Sequence, residues 1–141
     1  MNIVIVGTGY VGLVTGVGFA EQGHTVSFID LDSSKVEKLK NKQLPFFEPD
    51  LETYFSKKEN FNRMSFHSSY NSLNWDESEI VFICVQTPNN IETNSVDTKF
   101  LESAISEILI TISLLFSFDI SLIADSKNFV STEFVSILLG V

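Results

Sequence analysis

The chain begins with MNIVIVGTGYVGLVTGVGFAEQGHTVSFID, residues 1–30, and this stretch decides the fold. The apolar run Asn2–Val6 predicts a strand, the small-residue run Leu13–Gln22 predicts a helix, and Thr25–Ile29 predicts a second strand. Residues 7–12 between them, Gly-Thr-Gly-Tyr-Val-Gly, form a G-x-G-x-x-G motif. In the order strand, glycine turn, helix and strand, this motif predicts a dinucleotide-binding βαβ unit.

The three glycines of the motif have separate expected roles. Gly7 permits a sharp turn after the strand, Gly9 lets a pyrophosphate approach the backbone, and Gly12 lets the helix pack closely on the strand. The free amides and the positive dipole end at the helix start would then face the phosphates. The alternative is that these glycines only make a tight βαβ turn. The second strand and the acid at its end favour nucleotide binding.

That acid is Asp30, which lies 23 positions after Gly7. The spacing is close to the value of about 20 expected for an acid that binds the ribose hydroxyls. A carboxylate at this place would repel the additional 2′-phosphate of NADP. No arginine lies in residues 31–37 to accept that phosphate, although Lys35 is close. The sequence therefore predicts NAD as the cofactor.

Length, composition and charge restrict the class of protein. The 141 residues are 44% hydrophobic, which predicts a globular domain with a real core. The net charge of −9 argues against a nucleic-acid partner. No basic stretch suits an anionic membrane, and the 11 uncharged residues between Glu107 and Asp119 are fewer than the roughly 20 that span a bilayer. The single cysteine, Cys84, excludes an internal disulfide and predicts a reducing, cytoplasmic location.

The rest of the chain continues to alternate between helices and strands. Helices are predicted over 34–40, 49–57, 98–113 and 132–139, and strands over 64–67, 79–85 and 120–124. Tyr54 of the predicted helix 49–57 and Phe100 of the predicted helix 98–113 are expected to face the core. This alternation predicts an α/β fold, a Rossmann-type doubly wound parallel sheet, with one domain over residues 1–141. Since loops at the carboxyl ends of such strands form the binding crevice, Thr87 after the 79–85 strand is expected to contact the cofactor.

The other side chains that could carry catalysis or bind a metal have less support from the sequence. Cys84 lies in an apolar run, so core packing is expected and not nucleophilic chemistry. His67 has no second ligand at metal spacing, so no metal site is expected. Glu48 is a residue of the Pro-Phe-Phe-Glu-Pro segment, 45–49, and two interpretations stay open: a carboxylate facing the crevice or one that stabilises a helix start.

Several separated motifs, in the right order, resemble the UDP-glucose/GDP-mannose dehydrogenase family. They occupy residues 1–16, 28–30, 35–36, 45–51 and 82–88, and the resemblance covers most of residues 1–101. Members of that family use two NAD⁺ and a cysteine-bound thioester intermediate to oxidise the C6 alcohol of a nucleotide sugar to a carboxylate, a step in polysaccharide precursor synthesis. The resemblance therefore implies a UDP-glucose 6-dehydrogenase-like oxidoreductase acting on CH–OH.

The resemblance also implies roles for individual residues. Tyr10 and Val11 would contact the pyrophosphate through their backbone amides. Asp30 would hold the adenosine ribose with Lys35 beside it, and Thr87 would lie near the nicotinamide side. Cofactor contacts are thus expected at Gly7, Gly9, Tyr10, Val11, Gly12, Asp30, Lys35, Thr87 and Ser126.

The similarity to the family weakens after about residue 90. Asn94 stands in the loop where the family usually has a glycine before its aspartate. In residues 125–132, Ser126 agrees with the family, but Lys127 replaces a threonine that helps to position a catalytic water.

Residues 1–141 contain no counterpart of the family's central helix, sugar-binding domain or nucleophilic cysteine. We therefore expect that the catalytic C-terminal domain is absent and that this chain contains no catalytic residue. We also expect the chain to be inactive alone. Three functions stay open: the cofactor half of a dehydrogenase, an NAD(H)-binding module without chemistry, and a fragment that docks on a second chain carrying the sugar domain.

Overall fold

The computed structural model describes residues 1–90 and 95–116. It divides into two compact units, Met1–Val85 and a second unit from Gln86 onward, which are described separately. The prediction of one domain over residues 1–141 stays a prediction. The predicted strand 120–124 and the predicted helix 132–139 lie outside the described residues.

The first unit is built on a four-stranded parallel sheet. Its strands are β1 (Asn2–Val6), β2 (Thr25–Ile29), β3 (Met64–His67) and β4 (Ile80–Ile83). They are arranged in the order β3-β2-β1-β4, so the chain leaves the first strand in one direction and later returns to its other side. This reversal beside β1 is the switch point of a doubly wound sheet, and it confirms the predicted α/β Rossmann-type class.

Helices fill the connections between the strands. They are α1 (Tyr10–Glu21), α2 (Ser33–Lys40), α3 (Leu51–Ser56) and α4 (Lys58–Phe61), followed by 3₁₀ turns at Tyr70–Ser72 and Trp75–Glu77. Helix α1 begins three residues before the predicted start, directly at the glycine motif. Asp32 caps α2 by accepting hydrogen bonds from the amides of Ser34 and Lys35.

The core of this unit lies between the sheet and helices α1, α2 and α3. Phe28 of β2 is fully buried and stacks on Phe66 of β3, with ring centroids 5.2 Å apart. A Cβ at Gly16 of α1 would overlap the Phe28 ring, so glycine is what lets this helix approach the sheet. The other members of the core cluster are Ile3, Ile5, Leu13, Val17, Ala20, Val26, Val36, Leu39, Leu51, Phe55 and Met64.

The second unit begins with a short hairpin. Strands β5 (Asn89–Asn90) and β6 (Ser95–Val96) pair antiparallel. Helix α5 (Lys99–Phe116) follows, and its residues Ala104, Ile105, Ile108 and Thr111 are buried at helical spacing. Within residues 1–90 and 95–116, neither this helix nor any other has the apolar run that crossing a bilayer requires.

Three expectations about the elements need correction. Tyr54 of α3 is 42% exposed and Phe100 of α5 is 54% exposed, although both were predicted to face inward. Tyr54 belongs to a helix of only six residues and Phe100 is the second residue of α5, so helical spacing alone does not decide whether these side chains are covered. Strand β4 is shorter than the predicted 79–85, and its side chains are only partly buried.

Candidate functional site

The site is built around the turn between β1 and α1. Gly7 has φ +99°, a conformation that side chains disfavour, and a Cβ there would lie 2.6 Å from the carbonyl oxygen of Cys84. Its amide donates to the carbonyl of Ile29 at 2.7 Å. The turn therefore lies at the carboxyl edge of the sheet, joined to the end of β2 and close to the end of β4.

Gly12 and Gly9 complete the turn in different ways. A Cβ at Gly12 would overlap the carbonyl oxygen of Gly7, so helix and turn can meet only through glycine. At Gly9 nothing lies within 4 Å of a Cβ position, which leaves open space beside the backbone. Gly9 is also the N-cap of α1 and offers no side chain to the first amides. The amides of Tyr10 and Val11 have no acceptor within the helix, as at every helix start, and suit an anion.

Asp30 follows β2 and adjoins this turn. One carboxylate oxygen, Oδ2, accepts from the Thr8 amide at 2.9 Å and from the Thr8 hydroxyl at 2.6 Å. The other, Oδ1, accepts from the Asp32 amide at 3.0 Å. The ammonium group of Lys35 lies 3.7 Å from Oδ2. The structure thus brings the acid, the lysine and the glycine turn together, as predicted.

The surroundings of Asp30 keep it ionised. Burial would raise its pKa, but the hydrogen bonds from Thr8 and Asp32 and the charge of Lys35 outweigh burial, so the pKa lies below its ordinary value. Thr8 itself is 1% exposed. Reasoning from the sequence missed Thr8 because the motif accepts any residue at that position. A hydroxyl side chain between two glycines was the available signal.

The segment 45–50 is attached to the start of α1 through Tyr10. The Tyr10 ring stacks on Phe46 with centroids 4.4 Å apart, and its hydroxyl donates to the carbonyl of Phe47 at 2.9 Å. The neighbouring Glu48 carboxylate raises the pKa of Tyr10, because its interaction with the phenol hydroxyl and its negative charge both favour the neutral phenol over the phenolate. Glu48 also lines a cavity of about 390 Å³ between α1 and the start of α3. Phe47 is 83% exposed.

The first unit also contains Cys84 and His67, and both contact neighbouring side chains. Cys84 is partly buried against the core, and burial raises its thiol pKa. The ring nitrogens of His67 lie 3.0 Å from the Ser65 hydroxyl and 3.1 Å from the Ser72 hydroxyl. In the described part of the chain, no three acidic, histidine or cysteine side chains are arranged to hold a metal ion.

Two predicted cofactor contacts are not placed at this site by the structure. Thr87 belongs to the second unit, so its position relative to the glycine turn is not defined. Ser126 lies outside the described residues. The remaining seven, Gly7, Gly9, Tyr10, Val11, Gly12, Asp30 and Lys35, are all in the first unit.

The arrangement fits a dinucleotide. A diphosphate needs free amide donors and room beside the backbone, which the start of α1 and the open position at Gly9 provide. A neighbouring ribose needs an acceptor, and Asp30 Oδ1 receives a single hydrogen bond from the protein. Because an ionised carboxylate offers about four acceptor sites, Asp30 retains capacity for a hydroxyl group.

Comparisons with known proteins agree with this geometry. Residues 1–114 match the model of the UDP-glucose/GDP-mannose dehydrogenase family, NAD binding domain. The chain is 44% identical over 88 residues to UDP-glucose 6-dehydrogenase YwqF of Bacillus subtilis, covering 62% of this chain and 20% of that protein. It is 38% identical over 113 residues to UDP-glucose 6-dehydrogenase of Rickettsia bellii, covering 80% and 26%.

Among solved structures, a ternary complex of GDP-mannose dehydrogenase from Pseudomonas aeruginosa superposes with a TM-score of 0.72 at 31% identity, covering 79% of this chain and 25% of that one. The chain thus spans about a quarter or less of the length of these relatives. The match over most of its length shows that the chain belongs to the UDP-glucose/GDP-mannose dehydrogenase family, and that residues 1–114 correspond to its NAD-binding domain.

Proposed function

We propose that this domain supplies the cofactor half of a UDP-glucose 6-dehydrogenase-like reaction, in which the C6 hydroxymethyl group of a nucleotide sugar becomes a carboxylate for polysaccharide precursors. Bound NAD⁺ accepts hydride in such a reaction. The balance is one R–CH₂OH, two NAD⁺ and one water giving R–COO⁻, two NADH and three H⁺. The observation that carries the proposal is the fixed, ionised Asp30 beside a glycine turn with open space at Gly9.

Each residue of the first unit has a proposed part in holding NAD. The amides of Tyr10 and Val11 donate to the pyrophosphate at the positive end of α1. Gly7, Gly9 and Gly12 allow the turn and the close approach. Asp30 accepts from the adenosine ribose, and Lys35 lies beside it. For Thr87 and Ser126, contacts with the nicotinamide side of the cofactor rest on the resemblance to the family alone.

Calorimetric titration of NAD and NADP into the purified 141-residue chain tests the binding part. We expect a dissociation constant for NAD of about 1 μM to 1 mM, which corresponds to about 8 to 4 kcal/mol of binding free energy. NADP should bind more weakly, since its 2′-phosphate would face the Asp30 carboxylate. Asp30→Asn should reduce this preference, and equal affinities in the unaltered chain would refute the role of Asp30.

The 141-residue chain by itself is proposed not to turn over nucleotide sugars. Hydride transfer requires the sugar carbon and the nicotinamide to be held together within a few Å, and the chain spans only a quarter of its relatives. Incubation with UDP-glucose and NAD⁺, followed by nicotinamide absorbance, checks this. Steady production of NADH would contradict it. We also propose a cytoplasmic location, because a chain with a single cysteine, Cys84, and no internal disulfide suits a reducing compartment.

A second candidate function is docking on another chain that carries the sugar domain. Exposed apolar side chains near the start of α1 favour it: Val11 is 69% exposed and Phe47 is 83% exposed. Mixing the chain with the separately purified C-terminal part of a relative should then restore NADH production from UDP-glucose. Absence of both association and NADH production in that mixture would favour a module that only binds NAD(H).

A further inference from the structure

The shortest hydrogen bond to Asp30 comes from a residue that the motif leaves undefined. Thr8 stands between Gly7 and Gly9 and directs both its amide and its hydroxyl at Oδ2 of Asp30, at 2.9 and 2.6 Å. It is 1% exposed, so these two donors have no access to bulk water. Hydrogen bonds to a charged group are about twice as strong as neutral ones, so the pair holds the carboxylate firmly.

The hydrogen bonds of Asp30 are unequally distributed between its two oxygens. Oδ2 receives both Thr8 donors and faces the Lys35 ammonium at 3.7 Å, whereas Oδ1 receives only the Asp32 amide. Of about four acceptor sites on a carboxylate, three are taken, and the remaining one is on Oδ1. The Thr8 hydroxyl is thus the second donor on Oδ2 and leaves the free acceptor site on Oδ1.

We propose that Thr8 is a positioning residue that makes the site selective for an unphosphorylated ribose, by holding Asp30 with Oδ1 available to the ribose hydroxyls. This inference rests on the proposed role of Asp30. The terminal torsion of an aspartate side chain is broad, so the hydroxyl acts together with the amides of Thr8 and Asp32 to hold one orientation. Without it, Lys35 can draw the carboxylate outward, which weakens ribose binding and leaves the carboxylate less opposed to a 2′-phosphate.

Thr8→Val and Thr8→Ser form a matched pair of variants of the full chain. Valine keeps the shape and the amide but removes the hydroxyl, whereas serine keeps the hydroxyl. In calorimetric titrations we expect Thr8→Val to weaken NAD binding by about tenfold and to leave NADP binding within about twofold, as expected for loss of one hydrogen bond to a charged group. Thr8→Ser should keep the NAD to NADP affinity ratio of the unaltered chain.

Other outcomes overturn the inference, and they separate it from the proposed function. If Thr8→Val weakens the binding of NAD and NADP equally, or leaves both unchanged, Thr8 does not set the selectivity and the inference is wrong. A preference for NAD in the unaltered chain would still support the role of Asp30. If the unaltered chain shows no preference for NAD, the role of Asp30 fails and the inference fails with it. In an Asp30→Asn background, Thr8→Val should not change the affinity ratio further, and a further change would show that Thr8 acts without Asp30.

A measurement on the unaltered chain covers the case in which Thr8→Val does not fold. The ¹³C shift of the Asp30 carboxyl, followed by NMR against pH, should report a pKa below the reference value of 3.8. The pKa of Asp30 should be the same in Thr8→Ser. A carboxyl that titrates at or above that value is not held by the Thr8 donors, and the inference is then wrong.

Discussion

Replacing Gly12 or Gly18 by alanine adds the same methyl group to the same helix, α1, with opposite expected effects. At Gly18 nothing lies within 4 Å of the new Cβ. At Gly12 the Cβ would overlap the carbonyl oxygen of Gly7 and lie 3.1 Å from the Cβ of Cys84. The two variants therefore separate the helix propensity of alanine from the close approach that the dinucleotide motif requires.

The expected magnitudes follow from these surroundings. Alanine is favoured over glycine inside a helix by about 1 kcal/mol, so Gly18→Ala should raise the free energy of unfolding by that amount. Overpacking costs typically about 1–3 kcal/mol and more where nothing can move. The obstacle at Gly12 is backbone, and Gly7 is itself held by its hydrogen bond to Ile29. Gly12→Ala should therefore lower the free energy of unfolding by about 2 kcal/mol or more.

Urea unfolding followed by circular dichroism measures both changes. With a slope of about 1–3 kcal/mol per M urea, a difference of about 3 kcal/mol between the variants separates their midpoints by about 1–3 M. In NAD titrations, the dissociation constant of Gly18→Ala should lie within about twofold of that of the unaltered chain, whereas Gly12→Ala should not bind NAD. A Gly12→Ala midpoint equal to or above that of Gly18→Ala would refute the reasoning about the turn.

Three further predictions concern pH, the 45–50 segment and the thiol. The pKa of Asp30 is lower in the folded than in the unfolded chain, so the ionised carboxylate stabilises the fold fully above the unfolded pKa of about 4, and this stabilisation is lost as the pH falls further. The urea midpoint should therefore decline in acid, and Asp30→Asn should make that decline smaller. Tyr10→Phe keeps the ring but removes the hydrogen bond to Phe47, so chymotrypsin should cut after Phe47 faster than in the unaltered chain, as seen by mass spectrometry. Cys84 should react with iodoacetamide slowly at pH 8 and rapidly in urea, because burial raises its pKa and limits access.

The sheet could be predicted because its signals are local and repeated. Strands β1, β2 and β3 have the predicted bounds, since each is a short run of apolar or alternating residues between turn residues. Helix α2 also lies within one residue of the predicted 34–40, because one capping residue, Asp32, and two buried positions, Val36 and Leu39, define that short helix. In these segments the local pattern and the packing demand the same structure.

The differences arise where local pattern is weak. Helix α4, Lys58–Phe61, was not predicted because its polar residues show no apolar period. Strands β5 and β6 have two residues each, too few for any alternation. Tyr54 fits an apolar period in the sequence, but α3 has only six residues and buries only Leu51 and Phe55. The choice between the sides of so short a helix is made by tertiary packing, which a sequence pattern does not contain.

The candidate site was predictable to the extent that backbone geometry enforces it. Gly7 is required by its positive φ and by the nearby carbonyl of Cys84, and Gly12 by the carbonyl of Gly7, so no other residue serves at either place. Thr8 faces no such backbone restriction. Its importance comes from a partner 22 positions away, which becomes its neighbour only because β1 and β2 pair in register. The motif therefore predicts the glycine turn itself, whereas the selection that we propose at the ribose depends on a contact that only the folded sheet creates.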